Sequence, residues 1–152
     1  MKVVRFEDPS GKVCIGEWIA ADQARLISGD LYGSYEITSQ TAKIKRLLAP
    51  VVPVNVIAIG LNYRRHAAEG GQQVPEFPLV FVKLTTSVIG PGEPIVLPTD
   101  APDEVDYEAE LAVVIGRKAR KVSEADALKY VLGYTCGNDV SARDCQIRRD
   151  KQ

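Results

Sequence analysis

Val105-Asp106-Tyr107-Glu108-Ala109-Glu110-Leu111-Ala112-Val113-Val114-Ile115-Gly116 is the stretch that decides how this chain reads. It is rich in apolar and β-branched residues, has no proline and ends at a glycine, which is the pattern of a β-strand. Side chains at i and i+2 of a strand share a face. Glu108 and Glu110 therefore stand side by side, with Asp106 in line before them. Tyr107, Ala109 and Leu111 face the other way. Carboxylates gathered on one face of an apolar strand are costly unless a positive charge sits among them. A hard divalent cation such as Mg²⁺, Mn²⁺ or Ca²⁺ suits such oxygens. A solvated edge strand with its acids turned to water gives the same pattern.

Working outward, the chain has 152 residues, enough for a real core, and is 45% hydrophobic and 26% charged. A net charge of −1 gives no bulk electrostatic case for nucleic acid or an anionic membrane. The apolar runs fall short of a transmembrane span, and the first residues lack the apolar run of a signal peptide. Cys14, Cys136 and Cys145 form no CxxC and suggest neither a disulfide framework nor a zinc site. A reducing cytoplasm is expected, with the two later cysteines buried as small residues. His66 is the one imidazole available to any mechanism.

Upstream, residues 2–6, 12–19 and 23–28 read as strands, the first two joined at Asp8-Pro9-Ser10-Gly11, strong turn chemistry. A short helix is expected from Thr41 to Leu48, stopped by Pro50. Residues 1–50 thus form a small β-rich subdomain. Val51 to Ile59 reads as a buried strand. Asn62 to Glu69 fits two turns of helix, with Asn62 as N-cap and Gly70 as stop. His66 and Glu69, three apart, share a helical face and can pair. A carboxylate beside an imidazole raises its basicity and fixes its tautomer, as a general base requires. The same spacing fits a surface ion pair. Leu79 to Lys83 reads as a strand in which Lys83 is either an anion holder or an ordinary exposed lysine. A turn at Gly90–Pro94 precedes a short strand over 95–97.

Downstream, Ser123 caps a helix that buries Ala127, Leu128, Val131 and Leu132 and ends at Gly133. Tyr134 to Ser141 continues as a strand with Asp139 near its end. Ala142 to Gln152 starts another helix.

The order of the pieces is more telling than any one of them. Gly60-Leu61-Asn62-Tyr63-x-x-His66-x-x-Glu69, then Phe81-Val82-Lys83, then Asp106-Tyr107-Glu108-Ala109-Glu110-Leu111, then Asn138-Asp139-Val140-Ser141-Ala142-Arg143-Asp144 follow one another. This series closely resembles the fumarylacetoacetate hydrolase family, over about residues 55–150. The resemblance implies an α+β, mainly β fold, a mixed β-sandwich roll, whose catalytic domain would begin at residue 51 and run to 152. It implies that Glu108, Glu110 and Asp139 hold Mg²⁺ or Mn²⁺. It implies that His66 and Glu69 activate a water or move a proton, and that Lys83, Arg143 and Gln146 hold the substrate's carboxylate and keto oxygens. The expected reaction is hydrolysis of a C–C bond in a β-diketo acid or acylpyruvate. Oxaloacetate decarboxylation and 2-hydroxyhepta-2,4-diene-1,7-dioate isomerisation or decarboxylation are the alternatives within the family. A homodimer is expected, with a small keto acid as ligand and neither nucleic acid nor membrane as partner.

Family members also carry a Gly/Ala-Lys-Ser-type segment and a Gly-Thr-Pro-x-Gly loop beyond the Asn-Asp-Val-Ser-Ala-Arg-Asp motif, and neither occurs here. The sequence therefore reads as a truncated part of the roll that does not build a normal active site by itself. The alternative of a different class is a non-catalytic fragment with a structural or dimerisation role.

Overall fold

The computed structural model describes residues 1–149 and is mainly β. The chain divides into two compact units. One comprises Met1–Leu26 and Gln40–Gly92; the other comprises Ile27–Ser39 and the described residues from Glu93 onward.

In the first unit, β1 (Val3–Glu7) and β2 (Val13–Ala20) form a hairpin in which Phe6 faces Cys14. The Asp8 carboxylate closes the turn by accepting the amides of Ser10 and Lys12, at 2.8 and 3.0 Å. Gly11 takes a φ of +88°, a region open to glycine. β3 (Gln23–Gly29) pairs with β2, and β5 (Arg46–Leu47) pairs with the other edge of β1. With β4 (Tyr35–Lys43) they make a five-stranded sheet in the order β4-β3-β2-β1-β5. Phe6, Cys14 and Ala24 are its buried centre, flanked by Leu26, Ala42, Ile44 and Leu47.

The expected helix over 41–48 is not formed; the segment is the end of β4 and all of β5. Its amides are spent on neighbouring strands. Ile44 donates to Asp22, Lys45 to Glu7 and Leu48 to Arg5, at 2.8, 2.9 and 2.9 Å. An eight-residue helix is marginal alone, and pairing with β1 buries Ile44 and Leu47 more effectively.

This edge also carries the unit's best-placed charges. Lys45 Nζ and Arg46 Nε donate to the two oxygens of Glu7, at 2.8 and 3.1 Å. The hydrogen bond from Lys45, then that from Arg46, holds the Glu7 carboxyl below its ordinary value of 4.5. A depressed carboxyl contributes stability that is complete above the unfolded value and is lost as pH falls through the folded one. Urea midpoints of the parent and Glu7→Gln should therefore differ at pH 7 and converge on acidification to pH 3. A gap that held constant or widened would contradict the assignment.

Further on, β6 (Val56–Gly60) and β7 (Leu79–Lys83) pair antiparallel, with Val56 opposite Lys83 and Gly60 opposite Leu79. β6 is shorter than the run from Val51, because Pro53 lacks a ladder donor and the residue before it is restricted. Between them lies α1 (Arg64–Glu69).

In the second unit the acidic stretch is two strands, β8 (Val105–Asp106) and β9 (Ala109–Ile115), rather than one. The interruption has a local cause. The amide of Tyr107 donates to the Asp106 side chain and that of Glu108 to the Asn138 side chain, at 2.9 and 3.1 Å. Both amides leave the ladder for side-chain acceptors. β10 (Val131–Asn138) pairs with β9, and β11 (Ser141–Ala142) with β8.

The expected strand at 95–97 is absent, since Pro94 and Pro98 bracket it. The helix after Ser123 is a 3₁₀ helix over Glu124–Tyr130, followed directly by β10. Ser123 Oγ bonds the Asp126 carboxylate at 2.8 Å instead of capping the backbone, and Lys129 pairs with Asp126 at i+3. That spacing eclipses side chains in a 3₁₀ turn. Ala127 and Leu128 are exposed, and Val131 and Leu132 belong to the strand. Cys136 is exposed and Cys145 half-buried, against the expected burial. The last element is a π-helix over Asp144–Arg149; the end of the helix expected there, residues 150–152, lies outside the described residues.

One face of β9–β10 stays bare. Leu111, Val113, Ile115 and Tyr134 are 62%, 46%, 55% and 58% exposed.

Candidate metal centre and dyad

Strand alternation places the carboxylates. Along β9 the even positions Glu110, Ala112 and Val114 are half-buried and the odd ones exposed, and Glu108 continues the half-buried series. Across the ladder Gly137 lies opposite Glu110 and Asn138 opposite Ala109. The Asp139 amide donates to the Glu108 carbonyl at 2.9 Å, so Asp139 stands opposite Glu108. Glu108, Glu110 and Asp139 thus share one side of a two-stranded ladder, as the i, i+2 argument requires for the first two. Asp139 is half-buried, and its Oδ1 is fully so. A Cβ at Gly137 would meet Ala112 Cβ at 3.8 Å and Glu110 Cβ at 4.0 Å, ordinary van der Waals distances.

These residues fit a hard divalent cation in donor type and in placement on the ladder. Their side chains do not converge as they stand. Among the described residues no group of three or more His, Cys, Asp or Glu is arranged to hold a metal. Arg143 Nη1 lies 2.6 Å from Glu108 Oε1.

Arg143 follows β11, and its amide donates to the Glu104 carbonyl at 2.8 Å. Its guanidinium also bonds Gln146 Oε1 at 2.8 Å and Asp106 Oδ2 at 3.0 and 3.3 Å. Burial works against its charge, but the hydrogen bonds of Asp106 and Glu108 outweigh it and raise the Arg143 pKa above its ordinary value. The hydrogen bond from Arg143 in turn lowers the Asp106 carboxyl. Arg143 and Gln146, both expected substrate contacts, are thus brought together. Asp106 as the anchor of Arg143 was missed; the sequence signal was its place in line before the two glutamates. Ser141 completes the cluster, its Oγ donating to Glu108 Oε1 at 3.3 Å.

His66 and Glu69 lie on α1, in the first unit. Both are exposed, and no hydrogen bond or ion pair joins them among the described residues. The helix starts at Arg64 after Tyr63, whose side chain makes no cap; Asn62, the expected N-cap, lies outside it. Gly70 ends it as expected. Leu61, between β6 and α1, has a φ of +49°, costly for leucine, and nothing in the sequence signals it. A shallow cleft here is lined by Gly60, Leu61, Asn62, Val74 and Phe77, and neither His66 nor Glu69 lines it. Lys83 is half-buried at the end of β7.

The model of the family described as fumarylacetoacetate (FAA) hydrolase, C-terminal, matches residues 55–152. The chain belongs to the fumarylacetoacetate hydrolase family. It is 52% identical over 114 residues to the fumarylacetoacetate hydrolase domain-containing protein 2 homolog of Dictyostelium discoideum, covering 75% of this chain and 36% of that protein. It is 47% identical over 105 residues to the mitochondrial oxaloacetate tautomerase fahd2 of Xenopus laevis, covering 68% and 33%. Among solved structures it matches a 5-carboxymethyl-2-hydroxymuconate delta-isomerase from Mycobacterium smegmatis, with a TM-score of 0.83 and 43% identity, over 100% of this chain and 59% of that one. The chain therefore spans only part of the length of these relatives. Enzymes of this family generally depend on a divalent metal. Among the described residues no helix is long and apolar enough to cross a membrane.

Proposed function

We propose that this chain carries the cation-holding and proton-moving residues of an enzyme that interconverts the keto and enol forms of a short dicarboxylic keto acid. The observation that carries the reading is the shared placement of Glu108, Glu110 and Asp139 on one side of the β9–β10 ladder, with Arg143 and Gln146 bonded to each other beside them. The names of the frog and mycobacterial relatives, a tautomerase and an isomerase, support proton transfer as the reaction. Glu108, Glu110 and Asp139 would hold Mg²⁺ or Mn²⁺, which would supply Lewis-acid chemistry toward the substrate's oxygens. Arg143 and Gln146 bind a substrate carboxylate through the planar guanidinium fork and the amide. Lys83 offers a second cation to the anion. His66 accepts and returns the proton.

A second reading is hydrolysis of an acylpyruvate to pyruvate and a carboxylic acid, for which the hydrolase name of the family is the support. Both readings keep a homodimer as the expected assembly. The test follows enol-oxaloacetate by its ultraviolet absorbance, and pyruvate release from acetylpyruvate, with Mn²⁺ and the 152-residue chain. Faster loss of the enol, cut roughly 100-fold or more by His66→Ala, is the expected result. Pyruvate release alone would favour hydrolysis. No acceleration of either would overturn the enzyme reading of this chain in favour of the non-catalytic fragment, and acceleration indifferent to His66→Ala would remove His66 as the base.

A further inference from the structure

Arg143 is held from more sides than a substrate contact requires. Its Nη1 lies 2.6 Å from Glu108 Oε1 and 2.8 Å from Gln146 Oε1, while Nη2 and Nε reach Asp106 Oδ2 at 3.0 and 3.3 Å. Its side chain is 20% exposed; Glu108 is 22% exposed and Asp106 50%. The pair with Glu108 is thus the more sheltered, and ion pairs gain strength as water is excluded. Glu108 is also one of the three carboxylates assigned to the cation. A divalent ion and a guanidinium on the same carboxylate oxygen are neighbouring positive centres, and they compete.

We infer that Arg143 is the resident counter-cation of the carboxylate site, occupying Glu108 when no divalent ion is bound and giving it up to the ion while Asp106 and Gln146 retain the guanidinium. The inference rests on the cation reading of Glu108, Glu110 and Asp139. It makes Asp106 a positioning residue and gives Arg143, beside its proposed contact with the substrate carboxylate, a second role in setting how tightly the site takes its metal. Asp106 serves as the second berth: it lies two residues before Glu108, and its Oδ2 accepts both Nη2 and Nε of the guanidinium.

The two residues then have effects of opposite sign. Removing the charge at 143 removes the competitor, so Arg143→Gln binds Mn²⁺ more tightly, by about tenfold, the scale of one charge-assisted hydrogen bond. Removing the charge at 106 takes away the alternative partner, so Asp106→Asn drives Arg143 onto Glu108 and weakens Mn²⁺ binding. A purely structural role for the cluster weakens binding in both variants.

The experiment is a titration of Mn²⁺ into the 152-residue chain, with free ion read by electron paramagnetic resonance. It compares the parent, Arg143→Gln, Asp106→Asn and Glu110→Gln. Tighter binding in the first variant and weaker binding in the second is the expected result. Equal or weaker binding in Arg143→Gln, with Mn²⁺ bound by the parent and lost in Glu110→Gln, overturns the exchange and leaves the metal assignment standing. A parent that binds no Mn²⁺ overturns both. If Arg143→Gln loses its circular-dichroism signal, Arg143→Met, which also removes the charge, carries the test: tighter Mn²⁺ binding supports the exchange, and equal or weaker binding refutes it.

Discussion

Replacing Glu110 by glutamine should lower the affinity for Mn²⁺ by more than about 100-fold, since even loss of an outer partner of a metal ligand costs about 10- to 100-fold. The substitution keeps the size of the side chain and its capacity to hydrogen-bond. It removes the charge, on the half-buried side of β9 opposite Gly137. Far-UV circular dichroism should be unchanged, because the β9–β10 ladder runs through backbone groups and the apolar side chains of Leu111 to Ile115. Glu110 is the more informative of the two glutamates. Glu108 also holds Arg143, so its replacement disturbs an ion pair together with the site. A Glu110→Gln chain that bound Mn²⁺ as the parent does would remove Glu110 from the ligand set.

The second large effect lies in the N-terminal sheet. Phe6 is fully buried, the largest such side chain among the described residues, and it packs with Cys14 and Ala24. Phe6→Ala removes the aromatic ring from a centre made otherwise of small residues. Cavity formation on this scale costs about 3–5 kcal/mol. Cys14 and Ala24 are too short to close the gap, and pairing of β1 with β2 and β5 on both edges limits how far Leu26, Ile44 and Leu47 can move in. Trp18, on β2, is the single tryptophan and reports the loss directly. Its fluorescence should show a urea midpoint far below the parent's, or no folded baseline at all. A shift worth less than about 1 kcal/mol would mean that the sheet draws its stability elsewhere.

Much of this was legible in the sequence, for identifiable reasons. The hairpin at Asp8–Gly11 was readable because turn chemistry is local: a carboxylate accepts two amides, and a glycine takes a positive φ. The pairing of Glu108 and Glu110 on one face was readable because strand alternation is a two-residue rule. The segment 41–48 was not, since its amides find acceptors on Asp22, Glu7 and Arg5, far away in sequence. The break at Tyr107–Glu108 was hidden for a related reason. It depends on Asn138, thirty residues on, offering its side-chain oxygen to the Glu108 amide. Ser123 announced a helix start, but its hydroxyl turned to Asp126 and the turn that formed was 3₁₀.

The candidate site shows the same division. Its residue types and order were evident from the motifs, and Asp139 opposite Glu108 follows once β10 is in register. That Arg143 spends its guanidinium on Glu108 and Asp106 is a contact between separate strands, and no spacing rule predicts it. Nor does sequence spacing decide whether His66 and Glu69 pair. A six-residue helix with both side chains in water has little to hold them together.

The bare face of Leu111, Val113, Ile115 and Tyr134 has a physical consequence. Contiguous apolar surface of this kind marks a contact surface or favours association. The family relatives are longer than this chain, which spans 59% of the mycobacterial isomerase.

The most direct measurement is anomalous scattering from crystals grown with Mn²⁺. The account predicts a single strong peak bonded by Glu108, Glu110 and Asp139, with the Arg143 guanidinium moved off Glu108. A peak elsewhere, or none beside these carboxylates at saturating Mn²⁺, would contradict it.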